Sequence, residues 1–116
     1  MLPSADNPHD SPVWENYLVV QVVQAMLGIV PIHALAVGAE VEGASVCVRF
    51  QLATITDGDI ADMEDIRDGL QDLVGDQVDV RVTHEVLQER KISPLDGIRW
   101  VYLARVGRPG EWERRE

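Results

Sequence analysis

The chain alternates between two hydrophobic periods, and this alternation predicts its elements. The clearest helical period lies between Asp57 and Asp76, where apolar residues recur every three or four positions. These residues are Ile60, Met63, Ile66, Leu70, Leu73 and Val74. Such spacing places side chains along one side of a helix, which we expect to face a core. Thr56 or Asp57 is suited to cap this helix, and Gly75 is suited to end it.

An earlier helix is predicted from about Pro12 to Leu27. Ser11 followed by proline is typical of a helix start, and Gly28 followed by Pro31 is typical of a helix end. The valine-rich sequence between these signals also suits a β-strand, because β-branched residues favour sheets. The two end signals favour the helix. Its polar stripe is narrow, so we expect the remaining apolar surface to support self-association as a homodimer.

Elsewhere the apolar residues alternate with a period of two, which is typical of β-strands. Two such runs, from Leu35 to Val41 and from Val46 to Leu52, flank a turn and predict a β-hairpin. A third run begins at Val78, and a last one covers about Ile98 to Val106. The last run is apolar on both faces, which indicates a central strand or an edge strand used in association.

The predicted order is therefore α-β-β-α-β-β. Two hairpins separated by a helix imply an α+β two-layer sandwich, in which a four-stranded, mainly antiparallel sheet carries both helices on one face. The other face would be open and polar. Its candidate residues are Cys47, Arg49, Gln51, Asp79, Arg81, Thr83 and Glu85. We expect a flexible leader at 1–10, a single domain at 11–106 and a flexible tail at 107–116, since 116 residues are enough for one core.

The charge is strongly negative and concentrated in the second predicted helix. The chain has a formal net charge of −10, and eight acidic residues but only one arginine lie between Asp57 and Asp76. This sign argues against nucleic acids and anionic membranes, whose binding depends on lysine and arginine. It favours a basic protein partner, with a binding surface formed by Asp62, Asp65, Asp68 and Asp72. The alternative is a solubilising helix without a partner.

Residues with catalytic or metal-binding chemistry are few. His9, His33 and His84 are scattered without a second ligand at helical spacing, so we expect no metal site. No phosphate-binding glycine pattern is present, and we expect no cofactor. The lone Cys47 excludes an internal disulfide and suits a reducing cytoplasm. The first ten residues lack the basic start and apolar run of a secretory signal.

Together these features predict a non-enzymatic acidic domain that docks on a basic partner. Its most concrete form is an immunity-type inhibitor that covers the cationic groove of a bacterial nuclease toxin. The dominance of arginine among the basic residues, with many Ala, Val, Asp and Gly, favours a bacterial source. The alternative is a small enzyme or ligand-binding domain with a pocket near His84, lined by Trp100 and Tyr102. A deep pocket would favour this alternative, whereas a flat or convex acidic surface would favour docking.

Overall fold

The computed structural model of the protein describes residues 11–93 and 96–104. Its six elements follow the predicted order: α1 (Ser11–Met26), β1 (Ala34–Glu42), β2 (Ser45–Leu52), α2 (Asp57–Val74), β3 (Asp79–Val86) and β4 (Arg99–Leu103). The predicted leader (1–10) and tail (107–116) lie outside the described residues. None of the described helices is long and apolar enough to cross a membrane.

The four strands form one mixed sheet in the order β3-β2-β1-β4. β1 pairs antiparallel with both β2 and β4, whereas β2 and β3 run parallel. The α+β class and the mainly antiparallel sheet are confirmed, but the predicted hairpin between the last two strands is wrong. Because α2 carries the chain back along the sheet, β3 enters parallel to β2. β3 and β4 therefore lie at opposite edges, joined by the connection 87–98.

Both helices pack on one face of the sheet, and the core lies between the two layers. Every second residue of β2 is buried in this core: Val46, Val48, Phe50 and Leu52. They meet residues of α1 (Trp14, Leu18 and Val22) and of α2 (Met63, Ile66 and Leu70). The Trp14 indole Nε1 also donates a hydrogen bond of 2.6 Å to the Gly43 carbonyl, which holds α1 over the β1–β2 turn.

Helix α2 buries a narrower side than its sequence pattern predicts. Met63, Ile66 and Leu70 are buried, but Ile60 and Leu73 are 41% and 47% exposed. The six apolar residues together span a wider arc of the helix surface than the sheet and α1 can cover. Ile60 and Leu73, the outermost of the six, therefore lie at the flanks of the buried stripe. The end signals are confirmed, because Thr56 is the N-cap and Gly75 ends the helix with a φ of 82°.

The residues that follow β3, 87–93, lie against the second face of the sheet and cover part of it. Gln51, predicted on the open face, is only 3% exposed. Its Oε1 accepts a hydrogen bond of 2.9 Å from the Lys91 backbone N–H, and its Nε2 donates to the Lys91 carbonyl. The prediction of an open face is therefore wrong at this end. A chain that leaves one edge of the sheet and enters the opposite edge has to pass over one face.

Candidate functional site

The solvent side of α2 forms an acidic face, which we define as Asp57, Glu64, Asp65, Asp68 and Asp72. All five are exposed. At about 3.6 residues per turn they lie opposite the buried stripe of α2. Asp62, the remaining member of the predicted binding surface, is half-buried and lies between the acidic face and the buried stripe. The structure thus brings three of the four predicted aspartates together and adds Asp57 and Glu64.

Little basic charge offsets the acidic face. Arg67 is the only basic residue in α2, and its Nη2 lies 2.7 Å from Asp68 Oδ1. Such an exposed pair contributes at most about 1 kcal/mol to the free energy of unfolding. The other four residues of the face form no ion pair within the described part of the chain. The face is therefore an exposed, net negative surface carried by a helix that the core holds in place.

Asp59 differs from the other acidic residues of α2 because its side chain is buried. It accepts hydrogen bonds from the Thr56 backbone N–H at 2.9 Å and the Thr56 hydroxyl at 2.8 Å, while Thr56 Oγ1 accepts from the Asp59 N–H. His33 Nδ1 lies 2.7 Å from Asp59 Oδ2. The position of Asp59 in the first turn of α2 by itself predicts only a favourable interaction with the positive end of the helix dipole. A Thr-x-x-Asp capping pattern marks the Thr56 contact, but no local signal marks His33.

These contacts determine how Asp59 titrates. Burial by itself raises the pKa of Asp59, but the hydrogen bonds from His33 and Thr56 outweigh burial, and the net pKa lies below its ordinary value of 3.8. A carboxyl group with a lowered pKa stabilises the fold above its unfolded-state pKa. This contribution is lost as the pH falls through the folded-state pKa.

We therefore expect Asp59→Asn to remove part of the acid sensitivity of the protein. The free energy of unfolding of the wild type should fall as the pH drops below 3.8, and that of the variant should fall less steeply. Urea unfolding from neutral pH down to about pH 2 measures this slope. Asp57→Asn, a neighbouring exposed change, serves as the control and should keep the wild-type slope. Equal slopes in the wild type and Asp59→Asn would show that titration of Asp59 does not contribute to the loss of stability at low pH.

A cleft lies beside His84, as the alternative function requires, but its lining differs from the prediction. It has a volume of about 330 Å³ and lies between α2 and β3. Its lining residues are Ile60, Met63, Glu64, Arg67, Val82 and His84. His84 itself is exposed. The predicted lining by Trp100 and Tyr102 is wrong, because both lie on β4 at the opposite edge of the sheet.

The uncovered end of the second sheet face holds a polar hollow of about 450 Å³. Both of its arginines are already engaged. Arg49 lies 2.7 Å from Glu40, whose hydrogen bond raises the pKa of Arg49, and Arg81 lies 2.8 Å from Asp79. Cys47 is half-buried there, with its Sγ 3.6 Å from Thr83 Oγ1. Among the described residues, the hollow therefore offers no uncompensated cation that would attract an anionic ligand.

The outer side of α1 is apolar and exposed. Its large exposed aliphatic residues are Val13, Val20 and Val23, and Leu27 in the turn after α1 continues the row; the four are 62%, 54%, 42% and 68% exposed. With Asn16 they repeat at alternating spacings of three and four, the pattern of positions a and d in a coiled coil. The only charged residue of α1, Glu15, pairs instead with Arg99 at 2.9 Å. We call this uncharged surface the α1 seam.

Comparison with known proteins gives no family assignment, since no protein-family model and no curated protein sequence matches the chain. Within residues 11–93 and 96–104, no group of three or more His, Cys, Asp and Glu side chains is arranged to hold a metal ion. The surfaces described above are therefore the basis for a functional proposal.

Proposed function

We propose that the protein is a non-enzymatic binding domain whose acidic face docks on a basic surface of a partner protein. The observation that carries this proposal is the uncompensated charge of α2. Like charges at helical spacing repel each other and lower helix stability, whereas a typical exposed helix gains from mixed pairs. Burial of Met63, Ile66 and Leu70 offsets this cost in the free protein. A basic partner would relieve the repulsion.

The narrower form of this proposal is an immunity-type inhibitor of a bacterial nuclease toxin. Nucleases bind polyanions through cationic grooves, and an exposed acidic helix is complementary to such a groove in charge. Electrostatic attraction would accelerate association, which suits an inhibitor that has to reach its target quickly. We place this interaction in the cytoplasm, where Cys47 would remain a free thiol.

The test replaces Asp62, Asp65, Asp68 and Asp72 with asparagine together. We expect the fold to be retained and association with a basic partner to slow, because long-range attraction acts mainly on the on-rate. Partners are captured from a lysate of the source organism at low salt, and the association rate of each is then measured at rising salt. The wild-type rate should fall with salt, and the rate of the variant should be lower and less salt-dependent.

A matched-charge control separates the acidic face from net charge. It neutralises three exposed acidic residues elsewhere, Glu42, Asp76 and Glu89, and is compared with a variant that neutralises three of the face, Asp65, Asp68 and Asp72. This control should associate at nearly the wild-type rate if the face itself is the docking surface. If the face variant and the wild type capture the same partner with the same rate and no salt dependence, the acidic face is not the binding surface.

The alternative, an enzyme or ligand-binding domain, draws on the cleft beside His84. It is the weaker candidate because His84 is exposed and because the predicted aromatic lining lies at the other edge of the sheet. General acid–base catalysis needs a histidine within hydrogen-bond reach of a substrate that is held in a defined position.

We further infer that the protein forms a homodimer through the α1 seam. The seam is uncharged in a chain of net charge −10, so a second copy can approach there without facing acidic residues on the seam itself. A two-fold interface uses the same surface twice, and a and d positions interlock across such an interface. Beside the seam lies a groove of about 220 Å³ between α1 and β4, lined in part by Val23, Leu27 and Tyr102. It can accept apolar side chains of the second copy.

We expect sedimentation analysis to give a dimer for the wild type and a monomer for Val20→Glu. This change places two like charges across the two-fold axis in an apolar interface. Ala61→Glu adds the same charge at an exposed position on α2 and should remain dimeric. A wild type that sediments as a monomer at high micromolar concentration would contradict the dimer.

A further inference from the structure

The outer edge of β3 is unpaired in the described part of the chain, and it borders the cleft beside His84. β3 is the first strand in the sheet order, so its only described neighbour is β2. The parallel register from Ser45–Asp79 to Leu52–Val86 contains no irregularity. An edge strand of this kind presents a row of backbone donors and acceptors that another extended chain can use.

The register identifies which backbone groups face outward. The N–H groups of Asp79 and Leu87 donate to Ala44 and Leu52, so odd-numbered residues point their backbone groups toward β2. In a parallel pair the alternate residues point the other way. The N–H and carbonyl groups of Val80, Val82, His84 and Val86 therefore point to the outer edge. The side chains of the same residues lie on the helix side of the sheet, as Val80 does in the core.

The cleft provides an apolar surface beside this edge. Ile60 is 41% exposed and Val86 is 50% exposed, while Met63 is buried beneath them and Val82 is half-buried. A strand added to the edge would direct every second side chain toward this surface. The cleft volume of about 330 Å³ allows small aliphatic side chains to enter. The edge and the cleft together fit the geometry of β-strand addition. In this binding mode, main-chain hydrogen bonds to the sheet edge give affinity, and pockets for alternate side chains give specificity.

The charges around the edge favour a basic chain. Two arginines border it, but Arg67 pairs with Asp68 and Arg81 pairs with Asp79. Two acidic residues at the edge, Glu64 in the cleft lining and Glu85 on β3, form no ion pair within the described residues. The remaining charge around the edge is therefore negative, and a chain carrying lysine or arginine is electrostatically complementary to it.

We propose that the edge of β3 and the adjoining cleft bind an extended basic peptide segment, in which aliphatic residues alternate with lysine or arginine. The segment adds a fifth strand to the sheet, with its aliphatic side chains against Ile60 and Val82. This inference rests on the proposed function in requiring a basic partner, and it names the form in which that partner binds. It requires the backbone edge of β3 and the apolar wall of the cleft, which docking of the acidic face alone does not require, so the two proposals can fail separately.

The probe is a synthetic peptide in which lysine and valine alternate, with the same eight-residue length as β3. We expect saturable binding to the full chain by fluorescence anisotropy. A peptide with the same composition in two blocks keeps the charge but loses the alternation, and it should bind at least about tenfold more weakly. Equal binding of both peptides, or no saturable binding of the alternating one, would overturn the proposal.

His84→Pro tests the backbone edge directly. Proline removes the outward N–H of residue 84 without removing a bond to β2, and proline is tolerated on edge strands for this reason. We expect at least about tenfold weaker binding of the alternating peptide, the effect of losing a backbone hydrogen bond and blocking the edge. His84→Ala removes the same cleft-lining side chain but keeps the N–H, so weaker binding by His84→Pro than by His84→Ala isolates the effect on the backbone edge. Binding by His84→Pro that equals the wild type would overturn the proposal.

A second variant tests the proposal in a way that does not depend on whether the proline variant folds. Ile60→Ser removes a partly exposed apolar wall of the cleft and leaves the backbone of β3 unchanged, so weaker binding is again expected, and a cooperative thermal melt shows that the variant is folded. Wild-type affinity in Ile60→Ser would contradict a role for the cleft. Asp65→Asn together with Asp72→Asn neutralises part of the acidic face and keeps the edge, the cleft and the Arg67–Asp68 pair. Its result therefore reports on the acidic face, whereas His84→Pro reports on strand addition.

Discussion

Leu70→Ala is expected to lower the free energy of unfolding by about 2 to 5 kcal/mol, the usual cost of a large-to-small change in a core. Leu70 lies on the side of α2 that faces the sheet and is completely buried, in the core cluster that includes Ile66 and Phe50. Removing its isobutyl group loses hydrophobic transfer free energy and leaves a cavity that the surrounding strands cannot fill. Urea unfolding monitored by circular dichroism measures the loss as a lower midpoint at constant slope.

Asp72→Asn, a change on the same helix, provides the comparison. Asp72 is exposed on the acidic face, so neutralising it relieves repulsion and removes no packing. Its unfolding midpoint should be unchanged or slightly higher. If Asp72→Asn proved more damaging than Leu70→Ala, the assignment of buried and exposed sides of α2 would be wrong, and with it the proposed docking surface.

Gly38→Ala is expected to destabilise the protein by about 1 to 3 kcal/mol, although alanine suits a strand better than glycine does. Gly38 lies in β1 opposite Trp100 of β4, and the Ile98 and Trp100 side chains cover it. A methyl group at position 38 would contact Ile98 and would lie 2.8 Å from Trp100 Cε3. The ring would have to move, and its Nε1 donates a hydrogen bond of 3.1 Å to Asp96.

Gly69→Ala is the matched control, because it adds the same methyl group in α2, where nothing outside the adjacent residues and the local helix backbone lies within 4 Å. It should stabilise the protein by up to about 1 kcal/mol through higher helix propensity. Thermal unfolding of both variants measures the contrast. A neutral Gly38→Ala would show that Ile98 and Trp100 can shift at little cost, and that β4 is not held by this packing.

Most of the secondary structure followed from sequence because its causes are local. The alternation from Val46 to Leu52 places one face of β2 in the core, and this face was correctly predicted. The helix ends were also predicted, since the signals at Thr56 and Gly75 act within a few residues. The width of the buried stripe was overestimated at Ile60 and Leu73, because neighbouring elements decide how much of a helix is covered.

The sequence by itself determined the α+β class, the order of elements, the core face of each central strand and the position of the acidic charge on α2. These depend on hydrophobic period and on end signals within a few residues. Only the tertiary structure decided that β3 and β4 lie at opposite edges, that Gln51 is buried under the connection and that His33 meets Asp59. Each of these depends on strand pairing or on contacts between distant residues, which burial and the path of the connections select. The exposed edge of β3 also depends on this strand order, in which β3 is the first strand of the sheet.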